Sequence, residues 1–111
     1  MLIQITDANG ISQTVNACTQ ESITSADGSI TSANVSQTIV VGNSLRSGWI
    51  FQNTSSANLY IEDVSTTATV GKGYQVAAGQ ILSTYLNIPN SSNPIQVIGG
   101  TAGQTFTFRQ W

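Results

Sequence analysis

The sequence predicts an all-β protein, a sandwich or small barrel of short antiparallel strands, on three observations. Apolar residues recur with period 2 almost everywhere, and no window of a dozen residues carries the i, i+3, i+4, i+7 stripe of a helix. The strand-like runs are rich in Thr, Val, Ile and aromatic residues, and Gly, Asn, Ser and Pro divide them. About nine or ten such runs follow one another at a spacing of roughly ten residues, the pattern of a β-sandwich or small barrel.

The elements follow in order. Residues 2–6 and 11–15 flank Asp7-Ala8-Asn9-Gly10, which predicts a hairpin because Asn and Gly accept positive φ at little cost. Residues 23–25 and 29–31 flank Asp27-Gly28 and predict a second hairpin. The next strand spans 35–41 and ends at Gly42-Asn43-Ser44. Residues 47–53 put Trp49 and Phe51 on one face and Ile50 on the other. Asn53-Thr54-Ser55-Ser56 turns the chain into a return strand at 58–63, in which Leu59 and Ile61 share a face. Strands at 74–77, 80–86, 95–98 and 105–110 complete the set. In the last of these, Phe106 and Phe108 share one face, and Thr105, Thr107 and Arg109 the other. Gly71-Lys72-Gly73, Ala78-Gly79 and the stretches 89–94 and 99–103 read as loops.

The chain divides by content. The two Trp, three Tyr and three Phe all lie beyond residue 33. This predicts an aromatic-cored module over residues 34–111 and an N-terminal β-hairpin arm over residues 1–33. An isolated hairpin is marginal in water, so the arm needs the module or a partner.

Composition limits the function. Five acids, three cations and no histidine make 7% of the 111 residues charged, against about a quarter in a typical domain. The surface must meet water with Ser, Thr, Asn, Gln and Gly, whose short side chains lose little entropy when buried against another protein. Three scattered cations, Arg46, Lys72 and Arg109, cannot neutralise a phosphate track, which argues against nucleic acid. No apolar run reaches 18 residues, so no membrane-spanning helix is expected. The start of the chain has neither a basic nor an apolar signal region, and a cytoplasmic site of synthesis is expected. A single cysteine, Cys18, excludes an intrachain disulfide and is expected to be a free thiol.

Catalytic and metal-binding patterns are weak. One cysteine without histidine cannot make a zinc site, and the adjacent Glu62 and Asp63 point to opposite faces of a strand. Calcium at Asp27 or Asp63 has nothing further to support it. Serine has no histidine base, Gly71-Lys72-Gly73 reads as a solvated turn rather than a phosphate loop, and the five acids form no evident pair. No enzyme activity, metal or cofactor is expected. Trp49, Tyr60, Tyr74, Tyr85 and Trp111 are candidate sugar platforms, although Trp49 with Phe51 and Phe106 with Phe108 alternate as core residues do. Arg109, two residues before Trp111, is placed to stack on it.

From Ala33 onward several segments stand out together. They are Ala33-Asn34-Val35-Ser36-Gln37-Thr38, Leu45-Arg46-Ser47-Gly48-Trp49-Ile50-Phe51-Gln52-Asn53-Thr54-Ser55, Asn58-Leu59-Tyr60-Ile61, Val76-Ala77-Ala78-Gly79, Pro94-Ile95-Gln96-Val97-Ile98, and Thr101-Ala102-Gly103-Gln104-Thr105-Phe106-Thr107-Phe108-Arg109-Gln110-Trp111. Over about 80 residues this resembles a family of small virion proteins of tailed bacteriophages. The shared pattern is an Arg-x-Gly-aromatic strand, a Gln-Asn turn, an apolar return strand and a closing Gly-x-x-Phe-x-x-Arg-x-Trp. Ala77-Ala78-Gly79 departs from it where Pro-Ala-Gly is usual. The opening Ile5-Thr6-Asp7 through Ala17 resembles an arm found on some relatives.

The resemblance implies a jelly-roll-like antiparallel β-sandwich on the virion surface, made in the host cytoplasm. It also implies a capsid decoration (cement) protein or a small fibre component. The expected partners are the major capsid protein and further copies of the chain in a homotrimer. Arg46, Trp49, Phe106, Phe108, Arg109 and Trp111 are the candidate interface residues. In that reading Phe106, Phe108 and Trp111 approach the trimer axis, while Arg46 and Arg109 meet acids of a partner. The alternatives are a receptor- or glycan-binding module of a fibre or appendage, and an unrelated scaffold domain.

Overall fold

The computed structural model describes residues 2–6 and 12–16 as strands and residues 23–111 in full. β1 (Leu2–Thr6) and β2 (Ser12–Asn16) pair antiparallel as a separate two-stranded ribbon, with Leu2 opposite Asn16 and Thr6 opposite Ser12. The first expected hairpin is therefore present. Its turn and Cys18 lie outside the described residues.

The remaining strands build an all-β sandwich of two antiparallel sheets. They are β3 (Thr24–Ser25), β4 (Gly28–Ser29), β5 (Gln37–Val40), β6 (Trp49–Asn53), β7 (Leu59–Glu62), β8 (Tyr74–Val76), β9 (Ile81–Ser83), β10 (Ile95–Gly99) and β11 (Thr105–Gln110). One sheet runs β5-β10-β7-β8. The other runs β3-β11-β6-β9, with β4 also paired to β11.

Period-2 alternation produces the core. Inward positions carry Trp49 and Phe51 on β6, Phe106 and Phe108 on β11, Leu59 and Ile61 on β7, Ile95 and Val97 on β10, Val76 on β8 and Leu82 on β9. Phe108 stands opposite Phe51 in the ladder, and the rings interlock along the diagonals. Trp49 stacks on Phe108 at 5.7 Å, and Phe51 on Phe106 at 5.5 Å. Offset stacks of this kind add about 0.5–1.5 kcal/mol each beyond their buried area.

Three expectations are corrected. Residues 23–31 form no hairpin. β3 and β4 lie one after the other along the same edge of β11, pairing Thr24 with Gln110 and Ser29 with Thr105. They are one edge strand interrupted at Ala26-Asp27. Ala26 N–H donates to the Phe108 carbonyl at 3.0 Å, and Phe108 N–H donates to Asp27 Oδ1 at 2.8 Å, so a side-chain oxygen takes the place of a backbone acceptor. Ile30, which follows β4, is 1% exposed and belongs to the core. The boundary expected after residue 33 therefore falls too late, because the sandwich already includes Thr24 to Ile30.

The strand expected at 80–86 is also shorter and ends at Ser83. Ser83 N–H donates to Asn87 Oδ1, and the Ser83 carbonyl accepts from Leu86, Asn87 and Ile88. This turn closes over the end of the β9 edge and lifts Tyr85 and Leu86 out of the sheet. Covering a free edge in this way protects it from pairing with other chains.

The β7–β8 connection, residues 63–73, lies over the outer face of the β5-β10-β7-β8 sheet. Ala68 N–H donates to Ser36 Oγ at 2.9 Å, and Ile98 and Ala68 are buried outside the main core. The connection re-enters β8 through Gly73, which has φ 72° and whose α-carbon sits so close to the Ile61 carbonyl that a Cβ would lie 2.4 Å from it.

Deletion of residues 1–22 is expected to leave a cooperatively melting sandwich, because β3 onward is complete. Deletion of 1–33 strips one side of β11 and removes Ile30, and is expected to abolish the thermal transition. Ile30→Ala in the full chain should cost about 2–5 kcal/mol in chemical denaturation.

Candidate functional site

The sequence-level candidates separate into an interior group and a surface group. Trp49, Phe106 and Phe108 are 0%, 3% and 0% exposed. Their alternation reads correctly as core, and the idea that they face a trimer axis or a sugar is corrected: their own sheet partner covers them. The Trp49 Nε1–H is buried without a hydrogen-bond partner.

Arg46 is corrected in the same way. It is 4% exposed, and each of its three guanidinium nitrogens donates inside the chain. Nε donates to Gln110 Oε1 at 2.8 Å, Nη1 to the carbonyls of Ser91 at 2.6 Å and Asn93 at 3.0 Å, and Nη2 to the Val41 carbonyl at 3.0 Å. No carboxylate is among these partners. Carbonyl dipoles hold the charge, and desolvation pushes the guanidinium pKa down from its usual value. The planar fork ties the β5–β6 turn, the β9–β10 turn and β11 into one unit. Asn90 completes the tie by donating from Nδ2 to the Arg46 carbonyl at 2.7 Å.

Trp111 is half-buried beside this knot. Its carbonyl accepts from Gly48 N–H at 3.1 Å and its N–H donates to the Gly48 carbonyl at 3.0 Å. A Cβ on Gly48 would stand 2.8 Å from the Trp111 ring and 2.7 Å from Thr84 Oγ1, so glycine is required by close approach. Arg109 engages Asp27, Ser25 Oγ and the Phe108 carbonyl in place of the expected Trp111 stack. The backbone hydrogen bond from Phe108 and then Arg109 itself hold the Asp27 carboxyl below its usual range. The pair is exposed, so its contribution is screened.

Asp63 is 8% exposed, and burial pushes its carboxyl up. Its backbone carbonyl accepts from Ser91 Oγ and Asn93 Nδ2, which binds the β7 end to the same β9–β10 turn.

The opposite end of the sandwich is organised by two buried amides. Asn53 donates from Nδ2 to the carbonyls of Ala57 and Val76 and accepts on Oδ1 from Ser55 N–H and Oγ–H. Gln104 donates from Nε2 to the carbonyls of Ala57 and Asn58 and accepts from Thr101 N–H. These partners are saturated by the fold, so the amides serve the turns rather than a ligand.

What sequence reasoning missed is the distribution of exposed apolar side chains. Among the described residues, six of the nine large ones, Ile23, Val41, Leu45, Val64, Tyr85 and Leu86, sit at the Arg46 end. Each follows or precedes a strand terminus there, as the ladder pairs Trp49–Gln110, Thr24–Gln110, Val40–Ile95 and Glu62–Gln96 require. Leu86 and Tyr85 are 67% and 86% exposed, and Val41 is 74% exposed. The available signal was apolar residues in turn positions next to Gly42, Asn43 and Asn87. Extending the strand through residue 86 hid it.

A shallow groove of about 640 Å³ lies between Val35 and Val70 over Ile98, and a smaller depression of about 230 Å³ lies beside Val64 and Pro94. Neither is lined by an acid, a base or a thiol. Among the described residues no three His, Cys, Asp or Glu cluster as metal ligands would, and no helix is long and apolar enough to cross a membrane. No family model matches the chain, and no curated protein or solved structure matches it significantly.

Arg46→Ala strands the carbonyls of Val41, Ser91 and Asn93 and should lower stability by on the order of 3 kcal/mol in urea denaturation, with Arg46→Lys recovering only part. The two acids should differ in sign. Asp63, with a raised pKa, lowers stability as pH rises past the ordinary carboxyl range, so Asp63→Asn should raise the melting temperature at neutral pH. Asp27, with a depressed pKa, stabilises above that range and ceases to do so as pH falls through its lowered value, so Asp27→Asn should lower the melting temperature at neutral pH.

Proposed function

We propose that this protein is a non-enzymatic structural component of a bacteriophage particle: a decoration protein that cements the capsid by clamping neighbouring major capsid subunits. The observation that carries the reading is the Arg46 end, a rigid, hydrogen-bonded knot of turns that presents exposed apolar side chains on an almost uncharged sandwich. Large apolar groups held rigidly at a surface are what protein interfaces use, because little entropy is lost on docking. The sequence resemblance in residues 33–111 supports placement on a virion surface, after synthesis in the host cytoplasm. The β1–β2 ribbon supports an arm that adds strands to a neighbour.

The strand order supports the finer, jelly-roll reading of the sandwich. With β3 and β4 counted as one, each sheet has four strands, and successive strands alternate between sheets except β7 and β8, which pair directly. Such folds serve many functions, so the order supports architecture and not activity.

In this proposal the protein acts as a homotrimer. Its contacts come from Arg109, Trp111 and the exposed apolar residues rather than from Arg46, Trp49, Phe106 and Phe108, which are interior. Many copies of modest affinity resist internal pressure by their sum. No cofactor, metal, nucleic acid or membrane takes part. The alternative, a host-receptor or glycan-binding module, loses its strongest platform with the burial of Trp49 and keeps Tyr85 as an exposed ring.

Purified protein should bind emptied, expanded capsids saturably, at a fixed ratio to the major capsid protein, and should raise their resistance to heat. Binding to host cells or glycans, with none to capsids, overturns the proposal.

A further inference from the structure

We infer that residues 23–27 form a latched strap, which swings off the edge of β11 about Gly28 while the rest of the sandwich stays folded, and that the Asp27 side chain is the latch. The inference concerns the isolated chain and does not depend on the capsid reading.

Two observations carry it. The first is burial. From Ile23 to Ser29 every residue is exposed except Ala26, which is half-buried. A segment opens locally at little cost where few apolar contacts are lost. The core takes hold of the chain at Ile30, which is 1% exposed, donates its N–H to the Gln104 carbonyl and accepts from Gly103 N–H, both at 2.8 Å. The Gln37 side chain secures the residues on either side, donating to the Ser29 carbonyl at 2.9 Å and accepting from Thr31 N–H at 3.0 Å. Gly28 lies where the loosely held stretch meets the firmly held one, and without a side chain it absorbs a change of backbone direction most easily.

The second observation is how the strap is attached. Thr24 and Ser25 pair with Gln110 and Arg109, and Ala26 N–H donates to the Phe108 carbonyl at 3.0 Å. One carboxylate makes the rest of the link. Asp27 Oδ1 accepts from Phe108 N–H at 2.8 Å and from Arg109 Nη1, which also donates to Ser25 Oγ at 3.0 Å. Asp27 and Arg109 are 41% and 42% exposed, so water competes for these bonds. Opening has a consequence for the β1–β2 ribbon, which forms a sheet of its own and joins the sandwich through the strap. From Asn16 the chain reaches at most about 28 Å to Thr24 with the strap closed, and about 42 Å to Gly28 with it open. The strap therefore sets how far the ribbon extends, and its release bares the Phe108 N–H and carbonyl on the edge of β11.

The test is native-state hydrogen exchange of the full chain, read amide by amide by NMR at several low urea concentrations. The Ala26 and Phe108 amides lose their acceptors when the strap opens. They should exchange at least about tenfold faster than Ile30, and almost independently of urea, because little surface is exposed. Ile30 should show the steep urea dependence of global unfolding. Two variants separate the strap from the sandwich. Asp27→Ala should speed exchange at Ala26 about tenfold, since the latch is lost whenever the strap is closed. Ile30→Ala lowers the stability of the whole sandwich but is common to the open and closed strap, so it should leave Ala26 and Phe108 unchanged. If in the native chain Ala26 and Phe108 exchange with the rate and urea dependence of Ile30, the strap does not open by itself and the inference fails. Faster exchange at both amides in Ile30→Ala overturns it in the same way. Protection of Ala26 that is indifferent to Asp27→Ala overturns Asp27 as the latch.

Discussion

The sandwich depends on the pairing of β6 with β11. These two strands form the centre of one sheet, and their inward residues supply the four largest rings of the core, Trp49, Phe51, Phe106 and Phe108. The ladder sets the register, and the register sets the diagonal stacks. A slip of one residue in β11 against β6 would turn Phe106 and Phe108 to solvent, bring Thr107 and Arg109 inward and undo both stacks. Everything else is arranged around this pair: β9 on one side, β3 and β4 on the other, and the second sheet across the core.

The two ends of that pair are closed by different chemistry. At one, Asn53 and Gln104 satisfy the turns with neutral amides. At the other, a cation does the same work, with Arg46 donating to carbonyls of two turns and to the Gln110 side chain of β11. A guanidinium reaches further and binds more acceptors than an amide, which suits turns as long as 41–48 and 84–94. Desolvating a charge without a counter-ion is costly, and the structure offsets it with converging dipoles.

The sequence disclosed the parts of the fold that rest on local alternation. β6, β7 and β11 alternate residue by residue, β10 does so up to Ile98, and all four lie close to where periodicity places them. It disclosed less where a distant partner decides. Asp27-Gly28 reads as a turn, yet Asp27 accepts a hydrogen bond from Phe108, 81 residues away, and the segment runs straight on. Arg46 reads as a surface charge, because nothing in the sequence marks Val41, Ser91 and Asn93 as carbonyls that converge on it. Tyr85 and Leu86 read as strand because Ser83 and Asn87 act through their side chains, outside any apolar period. Burial corrected four of the six expected interface residues, and the exposed apolar end emerged only once the strand ends were aligned.

The position of β11 has a consequence for synthesis. It is the last strand in chain order, yet it lies between the earliest sandwich strands and β6. While a ribosome is still adding residues up to 104, β3, β4 and β6 have no shared neighbour, and Trp49 and Phe51 lack their stacking partners. The sandwich cannot close strand by strand as it emerges. It must wait until residues 105–111 are free, and then form over long sequence separations in one cooperative step, which is a slow kind of folding. Through that wait the nascent chain carries exposed aromatic rings and unpaired edges, the state most in need of chaperone protection.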